Sequence, residues 1–85
     1  MKVYVVEDYY YDHLECVGGS MMLGVYSTMA SAQAAVQQFV DESMSEYTES
    51  KRLVRDHDNN PCVESMMDNA LLDSDTYVIS EWHLQ

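Results

Sequence analysis

Positive charge is scarce in this sequence. Four of its 85 residues are Lys or Arg against fifteen Asp or Glu, which gives a formal net charge of −11. Proteins that bind nucleic acid directly need clustered Lys and Arg to neutralise phosphates. That class is therefore excluded. Long apolar runs are also missing, because the longest uncharged stretch, residues 16–40, contains all three glycines and many polar residues. We therefore expect no membrane span.

Cysteine is equally sparse. Cys16 and Cys62 allow at most one disulfide. The first fifteen residues lack the apolar region and cleavage site of a secretory signal. We therefore expect reduced thiols and a cytoplasmic location.

Apolar residues are plentiful. They make up 47% of the chain, and nine residues are aromatic, which is too apolar for intrinsic disorder even at this charge. At this length there is room for one domain, residues 1–85, built from two layers.

Three segments have the β-branched and aromatic composition of strands. They are residues 2–7 (KVYVVE), 21–26 (MMLGVY) and 76–84 (TYVISEWHL). Gly24 in the second suits a bulge or the close approach of another element. Residues 8–20 are interpreted as a loop or an extended hairpin connection.

Two helices are predicted between the second and third strands. Thr28 suits an N-cap, and apolar residues then recur at helical spacing over residues 28–49. Residues 56–61 (DHDNNP) are typical of a turn. After it, Val63, Met66, Met67 and Ala70 indicate a short helix that begins at Pro61 and ends near Leu72.

These elements predict an α+β fold of order ββααβ. The expected architecture is a small two-layer sandwich, in which a three-stranded, mainly antiparallel sheet is covered by one long and one short helix.

The opening KVYVV, the segment LGVYST before an Ala-rich helix, and the closing TYVISEWHL resemble a family of short, uncharacterised bacterial and phage domains. The resemblance covers residues 1–40 and 76–84, and residues 41–75 depart from it. It implies the fold and a bacterial or phage origin, and it implies no activity.

Catalytic and metal-binding chemistry is not predicted. His13 with Cys16 and His57 with Cys62 could supply four zinc ligands only if two loops converged, so we expect no metal and no cofactor. Carboxylates surround both thiols and should raise their pKa values, which disfavours a reactive thiolate. No phosphate-binding or hydrolase motif is present, and we expect no enzyme.

The densest unusual feature is a run of tyrosines flanked by acids: Glu7, Asp8, Tyr9, Tyr10, Tyr11 and Asp12. Three successive rings cannot all point inward from a strand. Exposed tyrosine beside carboxylates is typical of an interface with a basic protein. The alternative is a strand that continues through Tyr11 and packs two of the three rings.

A second acidic patch is expected on the long helix, formed by Asp41, Glu42, Glu46 and Glu49. A folded chain covered with carboxylates should be attracted to Lys and Arg grooves that normally hold nucleic acid. We therefore expect a non-enzymatic inhibitor that occupies such a groove on a partner protein. In gross properties it resembles phage anti-defence proteins, including anti-CRISPR nucleic-acid mimics.

The alternative is a structural or regulatory domain that homodimerises through a sheet edge. Its acidity would then serve solubility alone.

Overall fold

A five-stranded antiparallel sheet with one helix packed on it makes up residues 1–46 and 50–84, which are the residues that this computed structural model describes. The strands lie in the order β2-β1-β5-β4-β3. The elements along the chain are β1 (Lys2–Asp12), β2 (Val17–Tyr26), α1 (Met29–Met44), β3 (Ser50–Arg55), β4 (Pro61–Met67) and β5 (Ala70–His83).

The predicted three-stranded sheet with two helices is therefore wrong. The expected strands exist. Of the two alternatives for residues 8–20, the extended hairpin connection is the one that forms, since β1 continues to Asp12 and β2 begins at Val17. Gly18 and Gly19 have no side chain and therefore leave room for the rings of Tyr11 and Tyr10. A Cβ on Gly18 would lie 2.8 Å from Cδ2 of Tyr11, and one on Gly19 would lie 2.7 Å from the hydroxyl of Tyr10.

The helix α1 begins where the sequence predicts. The Thr28 side chain accepts a hydrogen bond from the Ser31 N–H at 3.1 Å and caps the helix. The end differs, because α1 stops at Met44 and not at Glu49. Glu49 itself lies outside the described residues. The Ser45 hydroxyl donates to the Glu42 carbonyl at 2.8 Å and satisfies one of the last free carbonyls.

The predicted short helix does not form, and its residues make the β4–β5 hairpin. Asp68 and Asn69 form the two-residue turn with φ values of 52° and 65°, as a type I′ turn requires. Pairing of β4 with β5 on one side and β3 on the other satisfies its backbone groups. These long-range contacts override the local helical spacing.

Ser50–Arg55 form the edge strand β3, which was not among the predicted strands. The turn predicted at residues 56–61 is present between β3 and β4. There the Asp56 Oδ1 accepts hydrogen bonds from the N–H groups of Asp58 and Asn60 at 2.9 and 2.8 Å. Pro61 begins β4 and not a helix.

The main buried cluster lies on one side of the sheet, which we call the helix side, whereas Val5 and Cys62 are buried on the opposite side. The cluster comprises Val6, Ala32, Val36, Val40, Val63 and Tyr77. Phe39 of α1 stacks on Tyr77 with ring centroids 6.2 Å apart. Cross-strand partners share a side, and the pairs of Val5 with Ser80 and Val3 with Trp82 define the opposite, open side.

Candidate protein-binding surface

A groove of about 460 Å³ lies on the helix side, at the C-terminal end of α1. Carboxylates from three segments line it: Asp8, Asp12, Glu46, Asp73 and Asp75. We call these five residues, with the space between them, the acidic groove. Strand alternation places the four aspartates there, since Asp12 pairs with Asp73 and Tyr10 pairs with Asp75.

Lys51 of β3 is the one cation among the described residues that line the acidic groove. Its ammonium lies 3.2 Å from the Glu46 carboxylate, and its side chain is only 7% exposed. One positive charge therefore faces several carboxylates, and the groove has an excess of negative charge.

Asp8 is the buried member of the groove. It is 8% exposed, and its Oδ1 has no hydrogen-bond partner among the described residues. Burial, a hydrogen bond to Asp75 and repulsion by that carboxylate together raise the pKa of Asp8 to about 7. Asp8 is therefore partly protonated near neutral pH. The same surroundings raise the pKa of Tyr77 to about 12, chiefly through burial.

The structure divides the predicted tyrosine patch between the two sides of the sheet. Tyr9 and Tyr11 belong to the open side and Tyr10 to the helix side, because β1 continues through all three. Their exposed fractions are 46%, 39% and 42%, so all three rings are partly accessible. Glu7 accompanies Tyr9 on the open side, whereas Asp8 is buried and offers no surface to a partner.

The second predicted patch stays together. Asp41, Glu42 and Glu46 are exposed at the end of α1, and the last turn of the helix contains no basic residue. Gln37 donates to the Asp41 carboxylate at 2.9 Å, which orients this group without neutralising it. Glu46 also lines the acidic groove. Helix end and groove thus form one continuous acidic surface.

The four potential zinc ligands do not converge. His13 and Cys16 lie at the β1–β2 turn, whereas His57 lies in the β3–β4 turn and Cys62 in β4, on the other side of the central strand β5. Burial is the main cause that raises the pKa of the Cys62 thiol, and neighbouring carboxylates add to it. Within the described residues there is no group of three or more His, Cys, Asp or Glu that could hold a metal ion.

Six residues that line the acidic groove are absent from the predicted site: Met21, Ser43, Lys51, Asp73, Ser74 and Asp75. Residues 73–75 lie between the predicted short helix and the predicted last strand. A signal was available in the segment DSDTYVI, where Asp73, Asp75 and Tyr77 alternate as they would along one side of a strand. Lys51 and Ser43 had no comparable signal, because their position depends on where β3 joins the sheet.

The fold and the groove define a small domain with one antiparallel sheet, one described helix and a strongly acidic surface. A family model described as a domain of unknown function (DUF7336) matches residues 1–62, and the chain belongs to that family. The match extends through β3 to Cys62 and so includes residues 41–62, which the resemblance noted from sequence did not cover. No curated protein and no solved structure matches the chain. No helix within the described ranges is long and apolar enough to cross a membrane.

Proposed function

We propose that this chain is a non-enzymatic protein-binding domain that occupies a basic surface of a partner protein. The observation that carries the proposal is the continuous acidic surface formed by the end of α1 and the acidic groove. Its accessible carboxylates come from α1, β1 and β5, and Lys51, the one cation among the described residues that line the groove, is largely buried beside Glu46.

Electrostatics favour a partner rich in Lys and Arg. A concave surface lined by one sign of charge concentrates the field and attracts opposite charge. The C-terminal end of α1 adds the negative end of the helix dipole to the same place. Arginine is the side chain best suited to reach a groove of this kind, since its guanidinium binds carboxylates in a planar, bidentate manner.

Proteins that bind nucleic acid present surfaces rich in Lys and Arg, which neutralise the phosphates. The acidic surface would compete there with the phosphate backbone, so this chain would act as an inhibitor of such a protein. The small size, the charge of −11 and the resemblance to phage and bacterial domains support a phage or bacterial anti-defence role, including anti-CRISPR inhibition, in the bacterial cytoplasm. The similarity to that class is an analogy of gross properties.

A pull-down from bacterial lysate tests the proposal. The tagged chain is bound at low salt, eluted in rising salt and challenged with duplex DNA as a competitor. We expect basic, nucleic-acid-handling proteins to be retained, to elute as salt screens the charges, and to be displaced by the DNA.

Charge-reversed variants locate the contact. Asp41→Lys with Glu42→Lys should lower the salt needed for elution and slow association. The matched control is Glu15→Lys with Asp58→Lys, which makes the same charge change at two turns. Equal loss in both variants, or retention that salt does not weaken, would contradict binding through the acidic surface.

A further inference from the structure

The open side of the sheet carries almost no charge. Among the strand residues that the register places there, three are charged: Glu7, Arg52 and Glu64. Arg52 and Glu64 pair with each other at 2.6 Å between Nε and Oε1. This side therefore carries about one net negative charge in a chain of −11. It offers no electrostatic attraction to a basic partner.

Large apolar side chains are accessible on the open side. Trp82 is 57% exposed, Met22 is 63% exposed and Val25 is 54% exposed. With Val3, Val5 and Leu84 they line a shallow apolar depression. The described helix packs on the opposite side of the sheet. A contiguous apolar area of this kind is typical of an interaction surface.

We infer that the open side is an interface through which two copies of this chain pack sheet against sheet. At about 4.8 Å between strands and about 3.3 Å per residue, the five strands give this side a footprint of about 750 Å². A stable interface buries about 800 Å² on each partner. The open side therefore has the area that a dimer needs.

The charge distribution selects a second copy as the occupant. Two chains of −11 repel each other. Of the two sides of the sheet, the open side opposes fewer carboxylates, since Glu7 and the paired Glu64 are its acidic strand residues. In a face-to-face dimer the acidic surfaces point away from each other, separated by about 30 Å if each layer is about 10 Å thick. That distance exceeds the Debye length of about 8 Å at physiological salt. This arrangement also differs from pairing at a sheet edge, which would leave Trp82 exposed.

Light scattering over a range of chain concentrations and salt tests this inference on the full chain. We expect a dimer that is maintained or strengthened as salt rises, whereas binding through the acidic surface should weaken. Trp82 is the single tryptophan and reports the interface directly. Its fluorescence should shift to shorter wavelength on dimerisation and return on dilution.

Three substitutions test whether the dimer interface lies on the open side. Trp82→Lys and Met22→Lys should each give a monomer, while Leu53→Lys, on the helix side and 44% exposed, should leave the dimer intact. Circular dichroism checks that each variant folds. A wild-type chain that stays monomeric, a dimer that survives both open-side changes, or equal loss with Leu53→Lys would each overturn the inference. None of these outcomes bears on the pull-down, which probes the opposite side.

Discussion

The two sides of the sheet are built from the same strands and have opposite surface chemistry. The helix side contains the main buried cluster and the acidic groove, and five acidic strand residues project from it: Asp8, Asp12, Asp73, Asp75 and Glu81. The open side has three charged strand residues and exposed apolar side chains. The difference arises because α1 packs on the helix side and buries part of it, whereas no described helix packs on the open side. The comparison indicates that the two sides serve different contacts.

The largest expected effect is on the free energy of unfolding, and it compares a buried valine on the helix side with an exposed valine on the open side. Val6→Ala removes methyl groups from a fully buried site and should lower the free energy of unfolding by about 2 kcal/mol, through lost transfer energy and a cavity. Val25→Ala on the open side should cost less than about 0.5 kcal/mol in the monomer. Urea denaturation at low chain concentration measures both. Equal costs at low concentration would contradict a core concentrated on the helix side, and a cost for Val25→Ala that grows with concentration would support the dimer.

The next effect concerns the buried carboxyl of the helix side. The pKa of Asp8 is about 7 in the folded chain, well above the ordinary value of 3.8 for an exposed aspartate, so the folded state holds the proton more tightly. The contribution of Asp8 to stability should therefore be greatest in acid, fall as pH rises from about 4 to about 7, and level off above that range. Asp8→Asn should stabilise the chain at pH 8 by at least about 1.4 kcal/mol, the free energy of one pKa unit.

Urea denaturation as a function of pH measures this change. Asp41→Asn, at an exposed carboxylate, is the control and should shift the curve by less than about 0.5 kcal/mol at every pH. A destabilised Asp8→Asn variant at pH 8 would show that the ionised carboxylate is favourably bound and that the burial argument is wrong.

Glycine substitutions give a smaller contrast. A Cβ on Gly24 would lie 2.7 Å from the Tyr26 hydroxyl, and Tyr26 packs against the core, so the ring has little room to move. Gly24→Ala should cost about 1 kcal/mol. Gly18→Ala meets the Tyr11 ring at 2.8 Å and the Tyr10 carbonyl oxygen at 3.1 Å. The Tyr11 ring is partly exposed and can move, so the change should cost less than Gly24→Ala. Thermal denaturation of the two variants measures both costs. A larger loss of stability for Gly18→Ala than for Gly24→Ala would mean that Tyr11, and not Tyr26, is the ring with little room to move.

The smallest effect is the ion pair of the open side. A double-mutant cycle on Arg52 and Glu64, with Ala at each position, should give a coupling of about 0.2–1 kcal/mol in the monomer. The coupling should decrease at high salt because the guanidinium side chain is 56% exposed. A coupling that is larger and independent of salt would mean that the pair is buried, as it would be inside an interface.

Local sequence predicted the elements whose signals are local. The strands around residues 2–7, 21–26 and 76–84 follow from β-branched and aromatic composition, and the start of α1 follows from its Thr28 cap and apolar spacing. The β4–β5 hairpin was missed because Val63, Met66, Met67 and Ala70 also satisfy helical spacing. The turn residues Asp68 and Asn69 were the signal that distinguishes the two, since both adopt positive φ.

The acidic character of the candidate site was predictable from the sequence, but the set of residues that form it was not. The excess of carboxylates and the acidic end of α1 are readable from the sequence. Which carboxylates reach solvent is not readable from the sequence. Asp8 and Asp12 both lie on β1, on the helix side, and both line the groove, yet Asp8 is buried and Asp12 is only half-buried. Burial depends on how far α1 extends across the sheet.

The sequence by itself determined the negative charge, the size, the capped amphipathic helix and the alternation of the first and last strands, since each is a property of composition or of residues a few positions apart. The tertiary structure decided the rest. It converted a predicted helix into a hairpin, divided the three tyrosines between two surfaces, and brought aspartates from β1 and β5 together beside Lys51. The physical reason is that strand pairing joins residues more than sixty positions apart, and no local pattern specifies which strand will be the neighbour.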